Sequence, residues 1–366
     1  MAKVVLGVGT VHTPLCVLPP ELWESYARAD YMNRELVFPP DGVVASFEEA
    51  LQTIVPADIQ QRPRGIEIFK RQHEVAQQSL DSLAKSLRDA NPDVVVIISD
   101  DQDEWFYEDN MPSLCIYWGD SVPLIPRQTG TARDEKAAEI MRLLNIGYAG
   151  EQRRDVRVQS DLGRYLITHL IETDFDISHM TYIRDSYSGV VRRRYPRMDG
   201  TPLDLDRTSA PRQMGLPHGF SFVVNRLLDS LDIPILPIVQ NTCYPPNNVT
   251  PARCHSFGEA LADGLVAWDG GRVAVVASGG LSHFVVDEVI DRAVLDALTK
   301  GDKEAMVSLP RQRLRSATSE SLNWVTVGAL MSRLGHKMEL LSYEPVYRTE
   351  AGTGAGMAFG KWLPEA

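Results

Sequence analysis

The chain has 366 residues and carries 37 Lys+Arg against 49 Asp+Glu, a formal net charge of −12, which excludes a nucleic-acid binder that works by bulk electrostatics. Hydrophobic residues at 44% and charged residues at 23% exclude a disordered or fibrous chain and leave ample material for a core. No apolar run approaches the ~18 residues that cross a bilayer. Cys16, Cys115, Cys243 and Cys254 stand without CxxC spacing, so the expectation is a cytoplasmic protein with no membrane partner, no disulfide framework and no zinc ribbon.

Runs rich in β-branched residues predict buried strands at Lys3 to Gly9, Val94 to Ser99, Leu114 to Trp118, Ile233 to Val239 and Val273 to Ala277. Helical patterns alternate with them. Ser46 followed by Glu49 opens one helix as a capping box. Phe69, His73, Ala76, Leu80, Leu83 and Leu87 recur at helical spacing over Ile68 to Ala90 and predict a long amphipathic helix. Further helices are expected over Asp134 to Leu144, Pro251 to Trp268, Asp287 to Leu298 and Ser319 to Leu334. The alternation predicts an α/β fold, a mixed central sheet flanked by helices with the active site at strand ends. No linker divides the chain, so residues 1–366 read as a single large catalytic domain. The segment 184–217, with seven arginines, four aspartates and repeated Gly/Pro, reads as a long loop inserted as a lid or an oligomer contact.

Four places could carry chemistry. His12 follows the first strand at once, where ligands gather in open α/β sheets; read alone, such a histidine is more often a hydrogen-bonded structural one. Ser278-Gly279-Gly280-Leu281-Ser282-His283 follows another buried strand and lacks the Gly-x-Ser-x-Gly of a hydrolase elbow. Asp100-Asp101-Gln102-Asp103-Glu104 sets four carboxylates at a strand end, which suits a divalent metal or a solvated loop. Glu320 lies four residues before Trp324 on an expected helix, where the carboxylate could face a pocket. His218 and His179 are weaker signals, and His169, His255 and His336 read as structural. There is no GxGxxG, Walker A or HExxH.

Taken together, His12 and Pro14, Pro92 to Asp101, Met111-Pro112, His218-Gly219, Gly279-Gly280-Leu281-Ser282-His283, Glu320 to Trp324 and Tyr347 to Gly360 resemble the class III extradiol ring-cleavage dioxygenases. That is the family of protocatechuate 4,5-dioxygenase catalytic subunits and of gallate and 3-O-methylgallate dioxygenases. The Gly-Gly-Leu-Ser-His string is its most specific element. The resemblance implies Fe(II) held by two histidines and a glutamate, with dioxygen as co-substrate. His12 matches the first ligand and Glu320 the glutamate. The position of the second histidine reads Gln102, so the third ligand is expected to be Gln102, or Asp101, Asp103 or His73 in its place.

The resemblance further implies that His283 is the catalytic histidine that takes a phenolic proton and later returns it. His218 would be a second pocket histidine, and Thr13 and Ser282 substrate contacts. The substrate would be a small aromatic diol such as protocatechuate, gallate, a methylgallate, a dihydroxyphenyl-alkanoate or a dihydroxypyridine. Arg192, Arg193, Arg194, Arg197, Arg207 and Arg212 could offer a guanidinium to an anionic substrate, and a homo-oligomer is expected by the same analogy. The Gln102 departure keeps a second class open: a metal-dependent hydrolase or lyase, or a non-catalytic binding protein on the same fold.

Overall fold

The computed structural model describes residues 2–107, 110–126, 132–184, 186–196, 202–228 and 231–364, with backbone alone for 186–196 and 202–213. Eight strands form one mixed sheet in the order His336–Tyr347, Gly354–Pro364, Lys3–Thr10, Arg272–Ser278, Val94–Ser99, Ile235–Gln240, Leu114–Tyr117, Ser178–Met180. The middle four run parallel. Their near-continuous apolar sequences explain why: a strand covered on both faces has no use for alternating polar residues, and Val94–Ser99 and Ile235–Gln240 are buried at every position. Leu114–Tyr117 and Gly354–Pro364 pair antiparallel on either side of this parallel block.

The five expected strands are all present, with ends within two residues of those read from the sequence. The Ser46/Glu49 capping box forms, with the Glu49 amide donating to Ser46 Oγ and the Ser46 amide to Glu49 Oε2. The long helix spans Ile66–Ala90 and buries Phe69, Ala76, Leu80, Leu83 and Leu87, packing on the His336–Tyr347, Gly354–Pro364 and Lys3–Thr10 strands. Asn91, in the left-handed region at φ 43°, ends it.

One expectation changes. The segment 184–217 is not one irregular loop: Ser186–Pro196 and Pro202–Gln213 pair antiparallel, with Arg192 opposite Asp206 and Arg194 opposite Asp204. The two halves satisfy each other's backbone groups, which a structureless loop of that length could not. The side chains of Arg192, Arg193, Arg194, Arg207 and Arg212, and all of Arg197, lie outside the described residues. The C-terminal pair, His336–Tyr347 with Gly354–Pro364, carries no clear strand signal in the sequence, because Glu, Lys and Gly dilute its pattern; it completes one edge of the sheet. Among the described residues no helix is long and apolar enough to cross a membrane.

Candidate metal centre

The parallel strands end together at Thr10, Ser278, Ser99 and Gln240, so the segments that leave them converge at one edge of the sheet. A buried polar layer fixes what stands above it. Asn323 donates to the Ser278 carbonyl at 3.1 Å and accepts from Gln240 at 2.8 Å. Thr326 donates to Gln240 Oε1 at 2.8 Å, and Ser99 to the Ser278 carbonyl at 3.0 Å. These bonds anchor the helix Ser321–Arg333 over the strand ends. Glu320 precedes it as the last residue of the 3₁₀ turn Ser316–Glu320, so it sits at the helix entry rather than on the helix as expected. Trp324 donates from Nε1 to the Gly279 carbonyl at 2.9 Å. Its ring fills the space at Gly9, where a Cβ would approach within 2.4 Å.

His12, Asp100 and Glu320 bring ligand atoms within 4.8 Å of one another, and all three are buried. Ser278 Oγ donates to the Gly219 carbonyl at 2.6 Å and lies 3.1 Å from His12 Nδ1. Its single proton is thereby used, so it accepts from Nδ1–H, and Nε2 of His12 holds a lone pair. That Nε2 has no hydrogen-bond partner. Burial drives the His12 pKa down to about 4, against the pull of Glu320, so the ring is neutral, the form that binds metals. Gly219 is a necessary glycine, since a Cβ there would sit 2.3 Å from Ser99 Oγ and 3.0 Å from His12 Cε1.

Glu320 Oε2 accepts from the Gly280 amide at 2.7 Å and lies 3.4 Å from His12 Nε2. Burial opposes its ionisation, but the charge of His283 first, with the donated hydrogen bonds, outweighs burial and holds the carboxyl below the usual carboxylate range. Asp100 has the opposite balance: burial first, then Glu320, raise its pKa, and its Oδ1 is buried without a partner. Two orphaned buried atoms, an imidazole nitrogen and a carboxylate oxygen, facing a second carboxylate are what a divalent cation would satisfy.

The expected third ligands fall elsewhere. Gln102 turns its Nε2 to Glu320 Oε1 and, at 3.3 Å, to Asp100 Oδ2; an amide nitrogen has no lone pair to give, and a flipped amide would set oxygen against two carboxylates. It bridges the two carboxylates from outside. Asp101 accepts the amides of Glu104, Trp105 and Phe106 at 3.2, 2.8 and 3.0 Å, so its oxygens are occupied by the turn. Asp103 accepts from the Tyr244 hydroxyl at 2.8 Å. His73 is half-buried on the long helix and packs against Trp23, ring centroids 6.0 Å apart. In the sequence Asp100 is one of a run of carboxylates, and nothing in the run separates it, because the strand and its two-residue alternation end at Ser99.

His283 donates from Nδ1 to the Leu281 carbonyl at 2.9 Å and places Nε2 3.2 Å from Glu320 Oε1. Both partners only accept, so both ring nitrogens are protonated in this arrangement. Burial lowers its pKa and Glu320 more than restores it, leaving it raised. Gly280 permits this packing, because a Cβ there would stand 2.6 Å from the His283 ring. His218 lies edge-on to His12, centroids 4.8 Å apart, with Nδ1 on Glu104. Thr13 is buried beside His12, its carbonyl accepting the Cys16 amide at 2.9 Å. Ser282 does not face the cluster: its hydroxyl donates to Asp291 at 2.7 Å and accepts the Asp287 amide at 2.8 Å, which fixes the loop that carries His283.

A family model described as the catalytic LigB subunit of aromatic ring-opening dioxygenase matches residues 65–358. No curated protein matches the chain. Among solved structures, an uncharacterized protein of Escherichia coli K12 aligns at 11% identity over 78% of this chain and 91% of its own, with a TM-score of 0.40.

Proposed function

The chain belongs to the family of catalytic LigB subunits of aromatic ring-opening dioxygenases, and on that premise we propose that it opens the ring of a small aromatic diol with dioxygen, using Fe(II) held by His12, Asp100 and Glu320. The observation that carries this is the gathering of those three side chains, two of them with orphaned ligand atoms, at the carboxyl edge of the parallel strands. One imidazole and two carboxylates replace the two histidines and one carboxylate that the resemblance implied, and their two negative charges balance a dication. Fe(II), when bound there, supplies a template for the two diol oxygens and a path for electrons to dioxygen.

The protein's own groups do the rest. His283 can give or take a proton only at Nε2, because its Nδ1 proton is committed to the Leu281 carbonyl. Nε2 points at Glu320, on the edge of the cluster, so His283 holds a proton there that it can give to the leaving oxygen, after which the bare Nε2 can take one from the next diol. His218 lies edge-on against His12. Thr13, buried beside His12, lines the approach. Residues 12, 100, 218, 283 and 320 all contribute to one centre, which supports reading residues 1–366 as one catalytic unit.

The test is anaerobic loading of the purified protein with Fe(II), then oxygen-electrode traces against catechols, gallates and dihydroxypyridines. Uptake with a diol, matched by ring-opened product, is expected. Bound metal with no uptake on any diol would hand the site to the hydrolase or lyase reading, and no bound metal to a binding role.

A further inference from the structure

We propose that Glu104 is a positioning residue: it fixes the imidazole of His218 with its proton on Nδ1, so that Nε2 presents a lone pair next to His12. What that lone pair serves rests on the function proposed above; the tautomer is a property of the chain alone. Glu104 Oε1 meets His218 Nδ1, and both carboxylate oxygens lie 3.2 Å from the His218 backbone amide. An ionised carboxylate has acceptors only, so the contact places a proton on Nδ1, and whenever the ring carries a single proton Nε2 is the bare nitrogen. In water a neutral histidine side chain prefers the proton on Nε2, so the contact with Glu104 selects the minor form.

The surrounding chain is arranged to keep Glu104 in place. Asp101 accepts three successive amides, those of Glu104, Trp105 and Phe106, and Asp103 takes the left-handed region at φ 56°, which together fold the loop back toward His218. Trp105 then fastens it, donating to the Gly215 carbonyl at 2.8 Å and stacking at 6.1 Å and 15° on Phe220. Phe220 belongs to the same helix, His218–Phe222, that His218 opens. The carboxylate and the ring it orients therefore ride on two segments locked to each other.

Two neighbouring rings pack edge-on against the His218 ring. It meets His12 at 4.8 Å and 85°, and Tyr148 at 5.4 Å and 83°, while the Tyr148 hydroxyl donates to the His12 carbonyl at 2.6 Å. The side chain is 17% exposed, and Nε2 makes no hydrogen bond to the described residues. His283 is set the other way, with both nitrogens facing acceptors. The two histidines that border the cluster thus offer opposite hydrogen-bonding character, one accepting and one donating, and Glu104 is responsible for the accepting one. Orienting a histidine through a carboxylate on its far nitrogen is a general means of fixing which nitrogen does chemistry.

The test is a long-range ¹H–¹⁵N correlation spectrum of metal-free, ¹⁵N-histidine-labelled protein at pH 8, with His218→Asn identifying the His218 signals. The expected wild-type pattern is Nδ1 protonated and Nε2 bare. Glu104→Ala should move the proton to Nε2, and Glu104→Gln, whose amide oxygen still accepts, should retain it on Nδ1. A wild-type His218 with its proton on Nε2 overturns the proposal whether or not the variants fold, as does a pattern that Glu104→Ala leaves unchanged. In the loaded protein Glu104→Ala should lower kcat about 10²–10⁴-fold with KM little changed, and Glu104→Gln should recover part of that loss; unaltered turnover in Glu104→Ala overturns the positioning role. Failure of every diol to be consumed by the wild type would dismiss the proposed function, whereas the metal-free spectrum separately decides the tautomer.

Discussion

The hydroxyl of Ser278 lies 3.1 Å from Nδ1 of His12 and hands its own proton to the Gly219 carbonyl, which leaves the imidazole one orientation and one lone pair. Ser278→Ala removes that acceptor without adding bulk. The expected outcome is a divalent-metal affinity lower by about 10–100-fold, with little change in fold. Calorimetric titration of Fe(II) or Mn(II) under nitrogen measures it, and an affinity equal to wild type would show that Ser278 does not orient His12.

Asp100 and Gln102 sit two residues apart and are expected to behave differently. Asp100→Ala should abolish stoichiometric metal binding, because it deletes a ligand. Gln102→Ala should keep one metal per chain at about 10–100-fold lower affinity, because only the bridge between Glu320 and Asp100 is lost. Metal content after gel filtration separates the two. Loss of all metal in the Gln102 variant, with Asp100→Ala still loaded, would restore Gln102 as the ligand.

Gly9→Ala tests the packing that seats Glu320. The added methyl would meet Trp324 at 2.4 Å, and Trp324 is fully buried and tied to Gly279, so neither side can yield cheaply. A destabilisation of about 1–3 kcal/mol is expected, read from urea unfolding midpoints at constant m-value. A stability within error of wild type would mean that the indole has room to move.

Asp291 provides a pH dependence away from the cluster. It is buried, accepts the Ser282 amide and hydroxyl at 2.7 Å each and the Tyr343 hydroxyl at 2.8 Å, and burial still pushes its carboxyl up to about 7. The unfolded chain releases this proton near pH ~4. Between those values the folded state binds more protons than the unfolded state, so this group makes stability fall as pH rises from ~4 to 7. Asp291→Asn cannot ionise. Whatever its stability at pH 4, the variant should gain on wild type by roughly 2–4 kcal/mol as the pH is raised to 8. Chemical denaturation of both proteins across that range measures the difference, and a flat difference would place the Asp291 pKa in the ordinary range.

Much of this protein is legible in its sequence, for a physical reason. Strands covered on both faces must be apolar throughout, so Val94–Ser99 and Arg272–Ser278 announce themselves, and whatever follows such a strand stands at the edge where sites form. That logic reaches His12 and His283, and the glycines at 279 and 280 are visible because close approach leaves no room for a Cβ. What the sequence could not decide was which carboxylate in Asp100-Asp101-Gln102-Asp103-Glu104 turns inward. Beyond the strand end the two-residue alternation no longer governs direction; the turn made by Asp101 and the left-handed Asp103 does. It sends Asp100 to the cluster, Gln102 between the two carboxylates and Glu104 to a histidine more than a hundred positions away. Each of those destinations is set by a partner from a distant segment, through hydrogen bonds that exist only once the sheet has brought its strand ends together.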